Sequence, residues 1–300
     1  MLPFRLCHVS MGTLAAKIKK TMDAAAGNKK IGGETYMVTV GLFDSGFGGL
    51  TVVREVKRQL PGANVEFYGD NGRAPYGPLS KETIIEYARQ ILNFLAGKKV
   101  DIVIIACNTA TVASWEVVKD QYPFHVLGVI KPGVRGALTA TRNKKIGVIA
   151  TKFTIENEAH KSEIQAIDPE AEVIGLACPK LVLLVESGKT SGPEVEEAVS
   201  CYLKTFKGTG IDTLVLGCTH FPVLADTIRR YLDPDVVIVD PAVETATEAK
   251  KLIAKKGLVA DCSHPVCNFY TSGDPELFAK VGSMILGWPI DKVEKVVLGA

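Results

Sequence analysis

Short apolar runs alternate with amphipathic stretches of helical period along most of the chain. Eight runs read as strands: Val38–Phe43, Val65–Tyr68, Asp101–Ala106, His125–Val129, Lys145–Ile149, Ala171–Leu176, Asp212–Gly217 and Val236–Val239. Between them, apolar residues spaced three and four apart predict helices over Gly49–Leu60, Lys81–Ala96, Ala110–Lys119, Pro193–Phe206 and Val223–Tyr231. Pro193 suits a helix start, where its missing N–H would be unpaired in any case. Strands that are apolar throughout, alternating with helices, predict an α/β fold with mostly parallel sheets, because parallel strands are covered on both faces.

The pattern repeats. Val40-Gly-Leu-Phe-Asp44-Ser45 matches Ile146-Gly-Val-Ile-Ala150-Thr151, and Pro61-Gly-Ala-Asn-Val65 matches Pro169-Glu-Ala-Glu-Val173. Gly97, Asp101 and Cys107 match Gly208, Asp212 and Cys218. The spacing drifts from 106 residues at Ser45/Thr151 to 111 at Cys107/Cys218, as small loop insertions would produce. Two similar α/β units related by a pseudo-twofold are therefore expected. The domains fall at 37–131 with 242–300, and at 132–241, preceded by an extension over 1–36. In open α/β sheets ligands bind beyond the carboxyl ends of the strands. The repeat thus predicts one cleft lined by four loops: Asp44-Ser45-Gly46, Cys107-Asn108-Thr109, Thr151 to Thr154, and Cys218-Thr219-His220.

Composition narrows the partners. The 300 residues are 47% hydrophobic, enough for two ordinary cores, and 35 basic against 33 acidic residues leave a net charge of +2. That balance gives no electrostatic case for nucleic acid or an anionic membrane. No apolar run reaches the length of a membrane helix, and the first 36 residues lack the apolar core of a secretory signal. Within them, Met11 to Ala26 has a modest amphipathic pattern with Leu14, Ile18 and Met22 on one face. Seven scattered cysteines, an odd number, point to free thiols in a reducing cytoplasm. Cys262, His264 and Cys267 could be half of a metal site, but no second pair follows, so no metal is expected.

Candidate chemistry centres on the two matched cysteines. Each ends an apolar run that begins with an aspartate six residues earlier, and each precedes a helical pattern. A helix N-terminus lowers a thiol pKa, so both are expected to be drawn toward thiolate. A cysteine on an apolar strand is more often a small buried hydrophobe. The paired placement favours chemistry instead. A disulfide redox pair would usually sit in one short motif, and a cysteine hydrolase using Cys218 and His220 would leave Cys107 idle. A two-base proton exchange at a carbon centre uses both thiols, one removing a proton and the other delivering one to the opposite face. Asp44 could accept from an ammonium, orient the first thiol, or cap a helix. His220 could poise the second thiol or be a satisfied turn histidine. Ser45, Asn108, Thr109 and Thr219 can hold carboxylate oxygens, and Pro75-Tyr76-Gly77-Pro78 is a rigid turn fit for a cleft wall or a plain surface loop. Gly46-Phe-Gly48-Gly49 lacks both a dinucleotide fingerprint and a phosphate-binding lysine, and is a weak nucleotide signal.

These residues carry a resemblance. Phe43 to Leu50, Ala74-Pro75-Tyr76-Gly77, Ala106 to Ala110, Leu216 to Pro222 and Phe269 to Asp274 resemble the glutamate racemases of the cofactor-independent aspartate/glutamate racemase superfamily. The resemblance runs from about Val38 to the C-terminus. It implies two α/β domains with the site between them, a homodimer, no cofactor, and interconversion of L- and D-glutamate for peptidoglycan. It further implies that Cys107 is the base for the D-enantiomer and Cys218 for the L-enantiomer, with Asp44 and His220 assisting. Ser45, Pro75, Tyr76, Gly77, Asn108, Thr109 and Thr219 would bind substrate, joined by Thr151 and Thr154. Glu186, closing Leu181-Val-Leu-Leu-Val-Glu186, resembles a further acidic residue near the second thiol. Family members often carry a serine and a tyrosine after the Thr154 turn; here the run is Ile155-Glu-Asn-Glu-Ala-His160. An aspartate racemase, another isomerase of the superfamily, or a non-catalytic amino-acid-binding protein are the competing readings.

Overall fold

Strands Thr39–Asp44 (β1), Asn64–Gly69 (β2), Ile102–Ile105 (β3) and His125–Gly128 (β4) pair in parallel in the order β2-β1-β3-β4. Strands Lys145–Ala150 (β5), Glu172–Ala177 (β6), Thr213–Gly217 (β7) and Val237–Val239 (β8) pair in parallel in the order β6-β5-β7-β8. The two orders are the same, so the duplication legible in the sequence is a duplication of topology. Cys267–Thr271 (β9) and Glu294–Lys295 (β10) extend the first sheet beyond β2, also in parallel. This computed structural model describes residues 37–258 and 263–299, together with a short antiparallel pairing of Lys30–Ile31 with Glu34–Thr35. The amphipathic stretch at Met11 to Ala26 and Cys262 of the half metal motif lie outside the described residues.

Helices cover the sheets. The first sheet is packed by Leu50–Gln59 (α1), Lys81–Gly97 (α2) and Asn108–Val118 (α3), and the second by Ile130–Ala140 (α4), Lys152–Glu156 (α5), Ala159–Ile167 (α6), Pro179–Glu186 (α7), Pro193–Leu203 (α8) and Ala225–Arg230 (α9). Pro241–Lys255 (α10) lies against both α1 and α4, and so bridges the two halves. Pro275–Leu286 (α11) returns to α1 and β9. In β1, β2 and β3 nearly every position is buried, on both faces, which explains why they read as largely apolar runs, with Glu66 of β2 the buried exception, taken up by Asn268 and Tyr270. Burying each large aliphatic side chain contributes about 1.5–3 kcal/mol. Two predicted helices differ in extent. The run after Pro193 ends at Leu203 and tightens into a 3-10 turn over Lys204–Phe206, and the run after Val223 is a 3-10 turn over Phe221–Leu224 leading into α9. Pro222 explains the second case: its ring fits a helix start but not its interior.

The matched aspartates that precede the two cysteines are structural. Asp101 accepts the Thr39 N–H at 2.8 Å, tying the start of β3 to the start of β1. Asp212 does the same for β7 and β5 with more bonds. Its carboxylate accepts from the Thr141 hydroxyl at 2.6 Å and from the N–H groups of Arg142 and Asn143 at 2.6 and 2.8 Å. The backbone repeats the match, since Asp101 N–H donates to the Thr39 carbonyl and Asp212 N–H to the Lys145 carbonyl. These bonds set the register of the central strand pair in each sheet, and with it the level at which the two cysteines emerge.

Asp212→Ala is expected to lower stability by about 3 kcal/mol, the scale of losing charged hydrogen bonds, with activity at low temperature intact. The hydrogen bonds outweigh the burial that would raise the Asp212 pKa and hold it below the usual carboxylate value. Its contribution is thus fully present above about pH 4 and lost as the pH falls through the lowered pKa. Denaturant titrations of both proteins at neutral and acid pH would check this; the gap between them should close in acid.

Candidate active site

Cys107 leaves β3 as the N-cap of α3. Its backbone is extended (φ −68°, ψ 123°), and its sulfur accepts the Ala110 N–H at 3.4 Å. The Ser45 hydroxyl, at the end of β1, lies 3.4 Å from the same sulfur. The helix N-terminus was expected to draw this thiol toward thiolate. The structure reverses that expectation: burial, and then the charge of Asp44, push its pKa up to about 12 against the opposing hydrogen bonds from Ser45 and Ala110. With 6% of the residue exposed and no cation among the described residues hydrogen-bonded to it, the thiol is favoured over the anion. At neutral pH Cys107 is a protonated thiol.

Cys218 leaves β7 at the matching position and is as deeply buried, but its neighbours differ. Its sulfur lies 3.4 Å from Nδ1 of His220, and Nε2 of His220 is hydrogen-bonded to Oε1 of Glu186 at the end of α7. Burial alone would lower the His220 pKa. Its interactions with Cys218 and with Glu186 outweigh it and hold the pKa well above the ordinary imidazole value. The second thiol therefore faces a cation, whereas the first faces a hydroxyl.

Asp44, at the end of β1, joins the two halves. It is fully buried, accepts the Gly46 N–H at 3.0 Å, and accepts the Thr219 hydroxyl of the other half at 3.3 Å. Burial raises its pKa, and the His220 charge pulls it back in part. Its carboxylate acts on Cys107 through its field, and it stands behind the cleft wall rather than in it. Glu186 also reaches across, accepting the Phe47 N–H at 3.1 Å. The glycines of this loop have a steric cause. A β-carbon on Gly46 would run into the Glu186 carboxylate, and one on Gly48 would meet the Thr219 hydroxyl and lie 2.8 Å from Nδ1 of His220. The Gly46–Gly49 run is one place where the two halves touch.

The four strand-end loops converge on one enclosed space. It is lined by Ser45, Pro75, Tyr76, Gly77, Cys107, Asn108, Thr109, Thr151, Cys218, Thr219 and His220, with Val182 of α7. Its volume is about 20 Å³, little more than one water needs, so an amino acid would not fit without some rearrangement of the lining. A chain of hydroxyls crosses it: Thr109 is 2.9 Å from Thr151, which is 3.0 Å from Thr154. Thr154 is buried behind Thr151, and Glu186 behind His220, so these two support the wall without lining it. Asn108 presents a buried side-chain oxygen that has no partner among the described residues. Val182 gave no signal in the sequence, because an apolar residue on an apolar helix reads as core. Among the described residues no group of three or more histidine, cysteine or acidic side chains is placed to hold a metal, and no helix is long and apolar enough to cross a membrane.

Residues 48–249 match the family model described as Asp/Glu/Hydantoin racemase. The chain belongs to that family. It is an amino-acid racemase, an isomerase. The glutamate racemase of Exiguobacterium sibiricum is 40% identical over 262 residues, covering 87% of this chain and 96% of its own. The crystal structure of glutamate racemase isoform RacE1 from Bacillus anthracis superposes with a TM-score of 0.84 at 36% identity, covering 88% of this chain and 98% of that one. The Francisella tularensis glutamate racemase, crystallised with D-glutamate, superposes with a TM-score of 0.80 at 35% identity, covering 86% and 97%. The racemase thus shares the two-domain α/β architecture over nearly the whole length of these proteins.

Gly48→Ala tests the contact between the halves. The added methyl must displace Thr219 or His220, and a misplacement of about 1 Å near reacting groups costs on the order of 10²-fold in turnover. A steady-state assay should show that loss with little change in melting temperature. Retention of full turnover would show that the loop tolerates a side chain.

Proposed function

We propose that the racemase interconverts L- and D-glutamate by exchange of the α-proton between Cys107 and Cys218. The observation that carries this reading is the placement of two thiols, on matched strands of two duplicated sheets, around one small space with unlike neighbours: Ser45 beside Cys107 and His220 beside Cys218. Inversion of a carbon centre needs a base on one face and an acid on the other. Cys218 beside the His220 imidazolium is suited to be the base, and Cys107, held protonated by burial and by Asp44, is suited to be the acid. In that state the site is set to take the proton from L-glutamate through Cys218 and return one through Cys107 to give D-glutamate. The reverse reaction starts from the opposite protonation state. Glutamate as substrate is supported by relatives of about 40% identity that are glutamate racemases and by the neighbour crystallised with D-glutamate. Asn108, Thr109, Thr151 and Thr219 supply uncharged polar groups for the substrate, and the turn at Pro75–Gly77 walls the space beside Cys107.

The same reading extends to the setting. D-glutamate made here would supply peptidoglycan, in the cytoplasm, by a homodimer whose subunits divide into 37–131 with 242–300, and 132–241. An aspartate racemase would use the same two thiols, so the substrate is separately testable.

Cys107→Ala and Cys218→Ala are each expected to abolish racemisation, followed by the circular dichroism of L-glutamate, while the far-ultraviolet spectrum of the protein stays native. Near-normal turnover by either variant would remove the two-base mechanism. His220→Asn should reduce turnover by about 10²- to 10³-fold, the scale of an acid–base partner. The same assay with L-aspartate should give little or no signal; equal rates on both amino acids would overturn the assignment to glutamate. Incorporation of solvent deuterium at the α-carbon is expected with wild type, and its absence alongside measurable binding would favour a non-catalytic binding protein.

A further inference from the structure

Asp70 follows the end of β2 and is not among the residues that line the cleft, yet it is completely buried and heavily bonded. Its N–H donates to the Asp44 carbonyl at 2.9 Å, fixing it beside the end of β1. Its carboxylate accepts Arg73 Nε with both oxygens, at 2.9 and 2.8 Å, and the Ser272 hydroxyl at 2.6 Å. It also accepts the hydroxyl of Tyr76, which does line the cleft. Arg73 is itself held. Its Nη1 donates to Gln90 at 2.6 Å, and its guanidinium lies 3.9 Å over the ring of Tyr87, which packs against the ring of Tyr76 at 5.7 Å between centroids. Ser272 closes the cluster from a distant part of the chain. It follows β9, the strand added outside the duplicated unit, and its oxygen also accepts the Gly72 N–H at 2.9 Å.

A buried carboxylate is stable only when its lone pairs are taken up, and here arginine, serine and tyrosine do so. The geometry has a direction. Everything that grips Asp70 also fixes the Tyr76 side chain, and the turn that carries Tyr76 walls the site next to Cys107. Burial and the Asp70 charge hold the Tyr76 phenol well above its ordinary pKa, so its proton stays on the hydroxyl and available to Asp70.

We infer that Asp70, Arg73 and Ser272 are positioning residues that clamp Tyr76, and with it the Pro75–Gly77 wall, beside Cys107, and that the added strand β9 thereby becomes part of the active site. This inference rests on the racemase reading above for its kinetic consequences but not for its structural ones. The turn lines the one space that both enantiomers would occupy, so loosening it weakens substrate binding in both directions alike. Loss of uniform binding raises KM and leaves kcat in place.

The test uses Asp70→Asn, Ser272→Ala and Ser272→Thr, assayed with both enantiomers, with melting temperatures alongside. Asp70→Asn and Ser272→Ala should raise KM for L- and D-glutamate by about the same factor, roughly tenfold, with kcat within about threefold of wild type. Ser272→Thr, which keeps the hydroxyl, should return KM toward the wild-type value. Unchanged KM in Asp70→Asn, or kcat falling together with melting temperature and no rescue by threonine, would overturn the role. A second measurement does not depend on turnover. Proton nuclear magnetic resonance of the wild type should show an exchange-protected phenolic proton that disappears in Tyr76→Phe and exchanges faster in Asp70→Asn. Its absence from the wild type would overturn the clamp. If the wild type racemises neither glutamate nor aspartate, the proposed function fails, and the phenolic proton still decides the clamp.

Discussion

Everything at the site depends on the contact between the Gly46–Gly49 loop of one sheet and the Glu186, Thr219 and His220 side chains of the other. It places the groups of one half against the second thiol's neighbours, while α10 and the Thr109–Thr151 contact join the halves elsewhere. The contact is close because glycine leaves room for a carboxylate and an imidazole against the backbone. It is polar because Phe47 N–H meets Glu186, and Thr219 meets Asp44. Such bonds can be exchanged for water, which the contacts of a purely apolar seam cannot. A space of about 20 Å³ leaves no room for an amino acid without rearrangement of its lining.

Duplication explains the backbone, and its breakdown explains the chemistry. The strand orders of the two sheets coincide, and the aspartates at their starts hold equivalent strands in register. The residues after the cysteines do not coincide. Cys107 is followed directly by a helix whose N-terminus should favour thiolate, yet burial and the Asp44 charge outweigh that modest dipole. Cys218 is followed by a histidine whose charge is maintained by Glu186 from α7. One site therefore holds a thiol and a thiol paired with a cation, an asymmetry that a proton exchange between two faces of one carbon requires.

Much of this was readable from the chain. The alternation of apolar and amphipathic runs, the drift of offsets from 106 to 111, and the matched strand-end loops led to the two sheets and to most of the cleft lining. Other features were closed to sequence reasoning for physical reasons. Val182 faces the cleft, but an apolar residue on an apolar helix has no local mark of it. Asp70 and Ser272 are about two hundred residues apart, and only the pairing of β9 with β2 brings them together. The pKa of Cys107 could not be judged from its place before a helix, because the decisive cost is desolvation, a property of what packs around it.

Local pattern determined which segments become strands and helices, because periodicity and turn chemistry act over a few residues. It also determined which residues stand at strand ends, since the apolar runs stop there. Tertiary structure alone decided which of those ends face each other, which carboxylates reach across between the halves, and which groups stand beside each thiol. These outcomes depend on burial and on contacts between residues far apart in sequence, where desolvation and paired charges outweigh anything the neighbouring residues can impose.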